Sequence, residues 1–163
     1  MIRCQVHDHV LHVIFPKTEG GHQQFLRHMK HPEKVYLNPD RCHDVLRASE
    51  RYEGANGAFV GFNFPASVVT KEERTLFPYI SLFAVQYVIA YMYDDEDTVA
   101  HELRHARFHM DPVYRQRVQT TWRLLRQRRP DLYRSITRKF REDGYAHHVF
   151  VDEFQAYYPD LIL

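Results

Sequence analysis

Cysteine is scarce in this chain of 163 residues, and its only two cysteines, Cys4 and Cys42, form no CxxC pair. A disulfide framework is therefore excluded. Internal repeats and low-complexity linkers are also missing, and a hydrophobic content of 44% excludes intrinsic disorder and a collagen-like fibre. We expect one domain over residues 1–163, strand-rich over residues 1–93 and helical over residues 94–163.

A long apolar run is absent as well. The longest run, residues 79–93, is interrupted by Ser81 and Gln86 and is shorter than the roughly 18 apolar residues that a membrane span requires. The N-terminal residues, which include Arg3 and Asp8, contain no apolar signal-peptide region. The sequence therefore predicts a cytoplasmic protein that has no membrane partner.

Net charge is small, at +1 from 22 basic and 21 acidic residues, but it is unevenly distributed. Residues 104–141 contain 12 basic and two acidic side chains, a local balance of +10. This distribution favours an acidic peptide or protein substrate, with nucleic-acid binding by the helices of residues 115–141 as an alternative. It indicates no oligomeric state. The arginines available for phosphate contacts are Arg126, Arg128, Arg129, Arg134, Arg138 and Arg141.

Residue periodicity and the positions of proline and glycine predict the secondary structure. The predicted strands cover residues 10–15, 35–37, 57–64 and 85–93, and two short helices cover residues 23–29 and 44–53. Four helices follow: residues 97–110, a long basic helix opened by Pro112, residues 131–143 with Gly144 as the C-cap, and residues 151–158.

The predicted helix over residues 97–110 contains an HExxH sequence, formed by His101, Glu102, Leu103, Arg104 and His105. Residues four apart on a helix lie one turn apart on the same face, so both imidazoles can bind one Zn²⁺. The glutamate beside the first histidine can then reach a metal-bound water as the general base. The motif therefore indicates a zinc site that carries its own base.

A helical wheel places the apolar side chains of this helix, Val99, Leu103, Ala106 and Met110, on one side. His101, Glu102, His105 and His109 lie on the other side. We expect the helix to dock on the core through the apolar stripe and to line a cleft with the opposite face. A surface helix whose polar face happens to hold histidines is the alternative.

A catalytic zinc site needs a third protein ligand besides the two histidines of the motif. His109 is excluded, because eight residues place it about 12 Å along the helix from His101. Asp111 occupies the third-ligand position of the metzincin pattern HExxHxxGxxH/D, but Phe108 stands where that pattern needs a helix-breaking glycine. Glu153, which lies 48 residues after His105, is a further candidate.

Around Glu153 the chain reads VDEFQAY, and over residues 87–158 it resembles the gluzincin group of zincin metallopeptidases. The resemblance implies an α+β, zincin-like fold, in which a small N-terminal sheet packs on the HExxH helix and a later helix supplies Glu153 to the zinc. It also implies a metalloendopeptidase. Ala156 is small enough to allow the two helices to approach closely. The alternative is that Asp152 and Glu153 are only first-turn acids of a helix.

Two features depart from the gluzincin pattern. Many gluzincins have an aspartate four residues after the glutamate ligand, which orients a zinc-bound histidine, whereas this chain has Tyr157. Tyr157 and Asp152 are the candidate replacements. Such enzymes also place a hydrogen-bond donor for the oxyanion shortly before the glutamate. The candidates for this donor are Tyr145, as the first choice, and His147 and His148.

The strand predicted over residues 57–64 is a candidate substrate-binding edge, because its glycines permit close backbone approach. An interior strand is the alternative. The leading functional hypothesis is a zinc metallopeptidase in which His101, His105 and Glu153 hold Zn²⁺ and Glu102 is the base. A non-catalytic zinc-binding protein and a nucleic-acid-binding protein are the alternatives.

Overall fold

A computed structural model describes residues 3–15, 61–68, 74, 79–92 and 95–162 of the chain. These residues form an α+β fold, in which the four strands precede the four long helices and one short helix lies before the last strand. None of the helices in these ranges is long and apolar enough to cross a membrane. The segments predicted at residues 23–29, 35–37 and 44–53, and the first part of the strand predicted over residues 57–64, lie outside the described residues.

The four described strands form one sheet in the order β1-β2-β4-β3. They are β1 (Arg3–His7), β2 (Val10–Phe15), β3 (Gly61–Pro65) and β4 (Tyr87–Met92). Strand β2 runs parallel to β4, whereas β1 pairs with β2, and β3 with β4, in antiparallel fashion. Within the described part of the chain, β3 is therefore an end strand of the sheet.

The hairpin of β1 and β2 was not expected from the sequence. Its turn residues Asp8 and His9 both have positive φ, at 46° and 65°. Two consecutive residues of positive φ are typical of the tight turns that join antiparallel strands, but Asn-Gly and Asp-Gly are the usual sequences there. The pair Asp8-His9 is a weak turn signal, and β1 therefore escaped the sequence pattern.

The predicted helices of the second half are confirmed to within about one residue at each end. They are α2 (Glu96–Met110), α3 (Pro112–Arg128), α4 (Pro130–Glu142) and α5 (Phe150–Tyr157), whereas the short helix α1 (Tyr79–Leu82), before β4, was not predicted. Asp95 caps α2 by accepting a hydrogen bond from the Thr98 N–H, and a proline opens both α3 and α4. The local signals for helix ends are thus sufficient in this half of the chain.

Helix α2 lies between the two parts of the core. On one side it packs on β3 and β4, where Ala106 joins the apolar cluster of Tyr87 and Ile89. On its other side it contacts α3 and α5, and these helices contribute Val118 and Phe154 to a second apolar cluster. The HExxH sequence is therefore held in the middle of the molecule.

The expectation that α2 docks only through its apolar stripe is wrong. Its buried residues are Thr98, Glu102, His105 and Ala106, whereas Leu103 of the predicted stripe is 37% exposed. The wheel considers only the apolar side chains of one helix. Here α5 covers His105 and β3 covers Glu102. These polar side chains are therefore buried by elements that are distant in sequence.

The glycine that ends α4 provides a test of its predicted role as a C-cap. Gly144 follows α4 with φ of 81°, a conformation that costs a residue with a Cβ about 1 kcal/mol. We expect Gly144→Ala to lower the free energy of unfolding by about that amount, measured by urea denaturation. The control is Ser135→Ala at an exposed position of α4, which should change it by less than about 0.5 kcal/mol. Equal effects of the two changes would contradict the C-cap assignment.

Candidate metal centre

Two helices bring three potential metal ligands together. The Nε2 atoms of His101 and His105, both on α2, are 3.1 Å apart. Glu153, on α5, places its carboxylate oxygens 3.9 Å from Nε2 of His101 and 3.8 Å from Nε2 of His105. These three residues are the one group of three or more potential ligands within the described part of the chain.

These separations suit a tetrahedral zinc ion. Ligand atoms about 2.1 Å from one ion, at tetrahedral angles, are about 3.4 Å from each other. The observed separations of 3.1 to 3.9 Å lie close to this value. The side chains of His105 and Glu153 have no exposed surface, whereas that of His101 is 20% exposed. Solvent therefore reaches the group from the side of His101.

The ring nitrogen of His105 that faces away from the group has a partner on α5. Nδ1 of His105 is 2.8 Å from Oδ1 of Asp152, which also accepts a hydrogen bond of 2.9 Å from Nε2 of Gln155. Gln155 in turn accepts a hydrogen bond of 3.1 Å from the Tyr114 hydroxyl. A histidine ligand is normally oriented in this way, and Asp152, rather than Tyr157, has the orienting position.

The backbone of Ala156 ties α5 to α2. Its carbonyl oxygen accepts a hydrogen bond of 3.0 Å from Nη1 of Arg104. Ala156 itself is 1% exposed, so its small side chain allows the close approach of α5 to α2. Helix α5 thus supplies Glu153 to the group and a hydrogen-bond partner to His105.

The two imidazoles have opposite pKa shifts. Burial, with help from neighbouring His105 and Arg104, lowers the pKa of His101 to about 3. Burial also disfavours the charged form of His105, but the carboxylates of Asp152 and Glu153 outweigh it and raise the pKa of His105 well above its usual value. The carboxylates therefore favour positive charge at His105, beside the space that a metal ion would fill.

Glu102 lies on the sheet side of α2 and is 4% exposed. Its Oε2 accepts a hydrogen bond of 2.7 Å from Nδ2 of Asn63, on β3. The Tyr87 hydroxyl, on β4, donates to Oδ1 of the same asparagine. The carboxylate acts electrostatically on His105, where it helps to raise the pKa of the imidazole. It therefore lies beside the ligand group without belonging to it.

Tyr157 lies between the histidines and Tyr145. Its ring centroid is 4.5 Å from that of His101, and its hydroxyl is 2.8 Å from the Tyr145 hydroxyl. His147 and His148, the alternatives for an oxyanion donor, are exposed, and the ring of His147 packs on Phe150. The structure thus joins Tyr145 to the group through Tyr157.

Asp111 has another role in the fold. Its side chain accepts hydrogen bonds from the backbone N–H groups of Val113 and Tyr114, and it therefore caps α3. His109 packs against the ring of Tyr87, at a centroid distance of 5.2 Å. Neither residue belongs to the ligand group described above.

The arginines of the predicted phosphate-binding surface are spread over two helices and the turn between them. All six are exposed, and Arg134 forms an ion pair with Asp131. Those six are Arg126, Arg128, Arg129, Arg134, Arg138 and Arg141. Arg115 instead bonds to the carbonyl groups of Phe108 and His109.

Sequence reasoning missed the part of the site contributed by the sheet. Asn63 is fully buried and contacts Glu102, and Tyr87 is fully buried behind it. One signal was available, since asparagine is uncommon in strands and a buried amide needs hydrogen-bond partners. An asparagine between two phenylalanines of a short strand therefore indicates a specific polar contact.

Comparison with known proteins gives no match: no family model, no curated protein and no solved structure matches this chain. The assignment of this site therefore depends on its geometry and on the chemistry of its residues.

The two candidates for the third ligand can be separated by paired substitutions. We expect Glu153→Ala to reduce bound zinc well below one ion per chain, because a buried ligand oxygen is lost. Asp111→Ala should leave zinc binding unchanged and lower the free energy of unfolding by about 1 kcal/mol, because α3 loses its cap. Competition with a chromophoric chelator measures the first effect, and urea denaturation the second. Loss of zinc in Asp111→Ala alone would reverse the assignment.

The orienting role of Asp152 generates a separate prediction. Asp152→Asn keeps the size of the side chain but removes its charge, and we expect zinc affinity to fall by about 10- to 100-fold. Asp160→Asn, at an exposed position beyond α5, is the matched control and should leave the affinity unchanged. Equal zinc affinity of the two variants would show that Asp152 does not orient His105.

Proposed function

We propose that this protein is a zinc-dependent metallopeptidase, in which His101, His105 and Glu153 hold the metal and Glu102 is the general base. The observation that carries the proposal is the convergence of two Nε2 atoms and a buried carboxylate, with Asp152 on α5 as the hydrogen-bond partner of His105. When bound there, zinc supplies the Lewis acid that polarises a peptide carbonyl and acidifies a water molecule.

The order of the elements supports a zincin-like arrangement of the gluzincin type. The sheet precedes α2, which bears both histidines, and α5 follows later with the glutamate. The contacts of α2 with β3, β4 and α5 agree with the arrangement that the resemblance implies. A non-catalytic zinc protein would use the same ligands, so the base and its surroundings are what favour an enzyme.

Glu102 is adjacent in sequence to a ligand and acts electrostatically on the second one, His105. In the proposed reaction its carboxylate takes the proton of the attacking water and then passes it to the leaving amine. Tyr145 and Tyr157, joined through their hydroxyl groups near the ring of His101, are the candidate donors to the oxyanion. The exposed side of His101 would admit the substrate.

The proposed substrate is a peptide in extended conformation, added as a strand along β3. End strands of sheets offer backbone N–H and C=O groups to such a peptide, and β3 is an end strand of the described sheet. The same strand contacts the proposed base through Asn63. The excess of arginine over residues 104–141 favours acidic side chains in the substrate.

The proposal is tested by Glu102→Gln, with Glu96→Gln on the same helix as the matched control. We expect both variants to bind one zinc ion per chain. Hydrolysis of a peptide library should fall about 10²- to 10⁴-fold in Glu102→Gln, because the proton acceptor is lost, and remain unchanged in Glu96→Gln. Metal content and peptide cleavage, followed by mass spectrometry, are the measurements.

Two results would count against this function. If the wild-type zinc form cleaves no peptide, the site binds metal without hydrolysis. If Glu102→Gln cleaves as fast as the wild type, Glu102 is not the base. Absence of stoichiometric zinc from the wild-type protein would remove the metal site itself.

A further inference from the structure

The carboxylate of Glu102 is enclosed by strand β3. Asn63, which is fully buried, donates a hydrogen bond of 2.7 Å from Nδ2 to Oε2 of Glu102. The side chains of Asn63 and Glu102 meet across the interface of the sheet with α2. One oxygen of the proposed base is thus held by a donor from the sheet.

Gly61, two residues earlier on the same face of β3, provides the space for the other oxygen. A Cβ atom at this position would lie 2.5 Å from Oε1 of Glu102 and 2.6 Å from Cγ2 of Thr98. Any side chain there would therefore displace the carboxylate or the helix. The glycine is required by the close approach of Glu102, whereas the sequence pattern had suggested close approach of a substrate.

The amide of Asn63 is itself held in place. The Tyr87 hydroxyl donates to Oδ1 of Asn63, and the tyrosine ring is fully buried in the cluster of Ile89 and Ala106. Because Oδ1 accepts from Tyr87, the donor side of the amide faces Glu102. The orientation of the proposed base thus depends on a buried tyrosine of β4.

We infer that Asn63 is a positioning residue for Glu102, with Gly61 giving the carboxylate its space and Tyr87 orienting the amide. This inference rests on the function proposed above. A general base must lie within hydrogen-bond reach of the proton that it accepts, and a displacement of about 1 Å can cost about 100-fold in rate. The strand that would receive the substrate peptide therefore also sets the position of the base.

The test compares Asn63→Ala and Tyr87→Phe with Tyr133→Phe, which removes a hydroxyl group from a half-buried tyrosine of α4. We expect kcat to fall about 10- to 100-fold in Asn63→Ala and several-fold in Tyr87→Phe. KM and the zinc dissociation constant should stay within about twofold of the wild type, because the backbone of β3 and the ligands are unchanged. Tyr133→Phe should change none of these quantities.

A second measurement separates positioning from a structural role. If Asn63 acts through Glu102, Asn63→Ala should have no further effect on the residual rate of the Glu102→Gln variant. Equal loss of rate in the two backgrounds would mean that Asn63 supports the fold only, and the inference would be overturned. Gly61→Ala should lower kcat as Asn63→Ala does, and it should likewise still bind zinc.

The outcomes distinguish this inference from the proposed function. If the wild-type zinc form hydrolyses peptides but Asn63→Ala and Tyr87→Phe keep kcat within twofold, the inference alone is wrong. If the wild type hydrolyses nothing, the proposed function fails and the inference fails with it. Should Asn63→Ala not fold, the milder Tyr87→Phe decides by the same criteria.

Discussion

The hydrogen bond between His105 and Asp152 is the contact on which the candidate site depends. Both side chains are buried, and Nδ1 and Oδ1 are 2.8 Å apart. An imidazole and a carboxylate removed from water are costly unless they are paired. Their pairing therefore fixes how α5 lies against α2. Since Glu153 is the next residue of α5, the same contact determines how its carboxylate faces the two imidazoles.

Negative charge is concentrated around this contact. Asp152, Glu153 and Glu102 are all buried, and each of them helps to raise the pKa of His105. One imidazolium offsets only part of the charge of three carboxylates, and these surroundings favour a cation of higher charge. A divalent ion at the ligand group would take the place of the proton. The carboxylates that raise this pKa would thus also favour the proposed metal ion.

The helical half of the fold could be predicted because its signals are local. Pro112 and Pro130 open helices, Asp95 caps α2 through Thr98, and these bounds agree with the structure. The HExxH sequence and the acidic residues of α5 can likewise be recognised from a few consecutive residues. The burial of α2 could not be predicted, because it depends on α5 and β3, which are distant in sequence. The contact of Asn63 with Glu102 requires in addition the register of β3 against β4.

Helix α2 divides the chemistry between two halves of the molecule. On the helical side, Asp152 of α5 orients His105. On the sheet side, β3 and β4 hold Glu102 through Asn63 and Tyr87. Outside α2, these two sets of contacts involve different residues. In the proposed enzyme, the contact with α5 would serve metal binding, and the contacts with β3 and β4 would serve hydrolysis. A chain that kept the α5 contacts and lost those of β3 would still bind zinc, but its base would no longer be held in place.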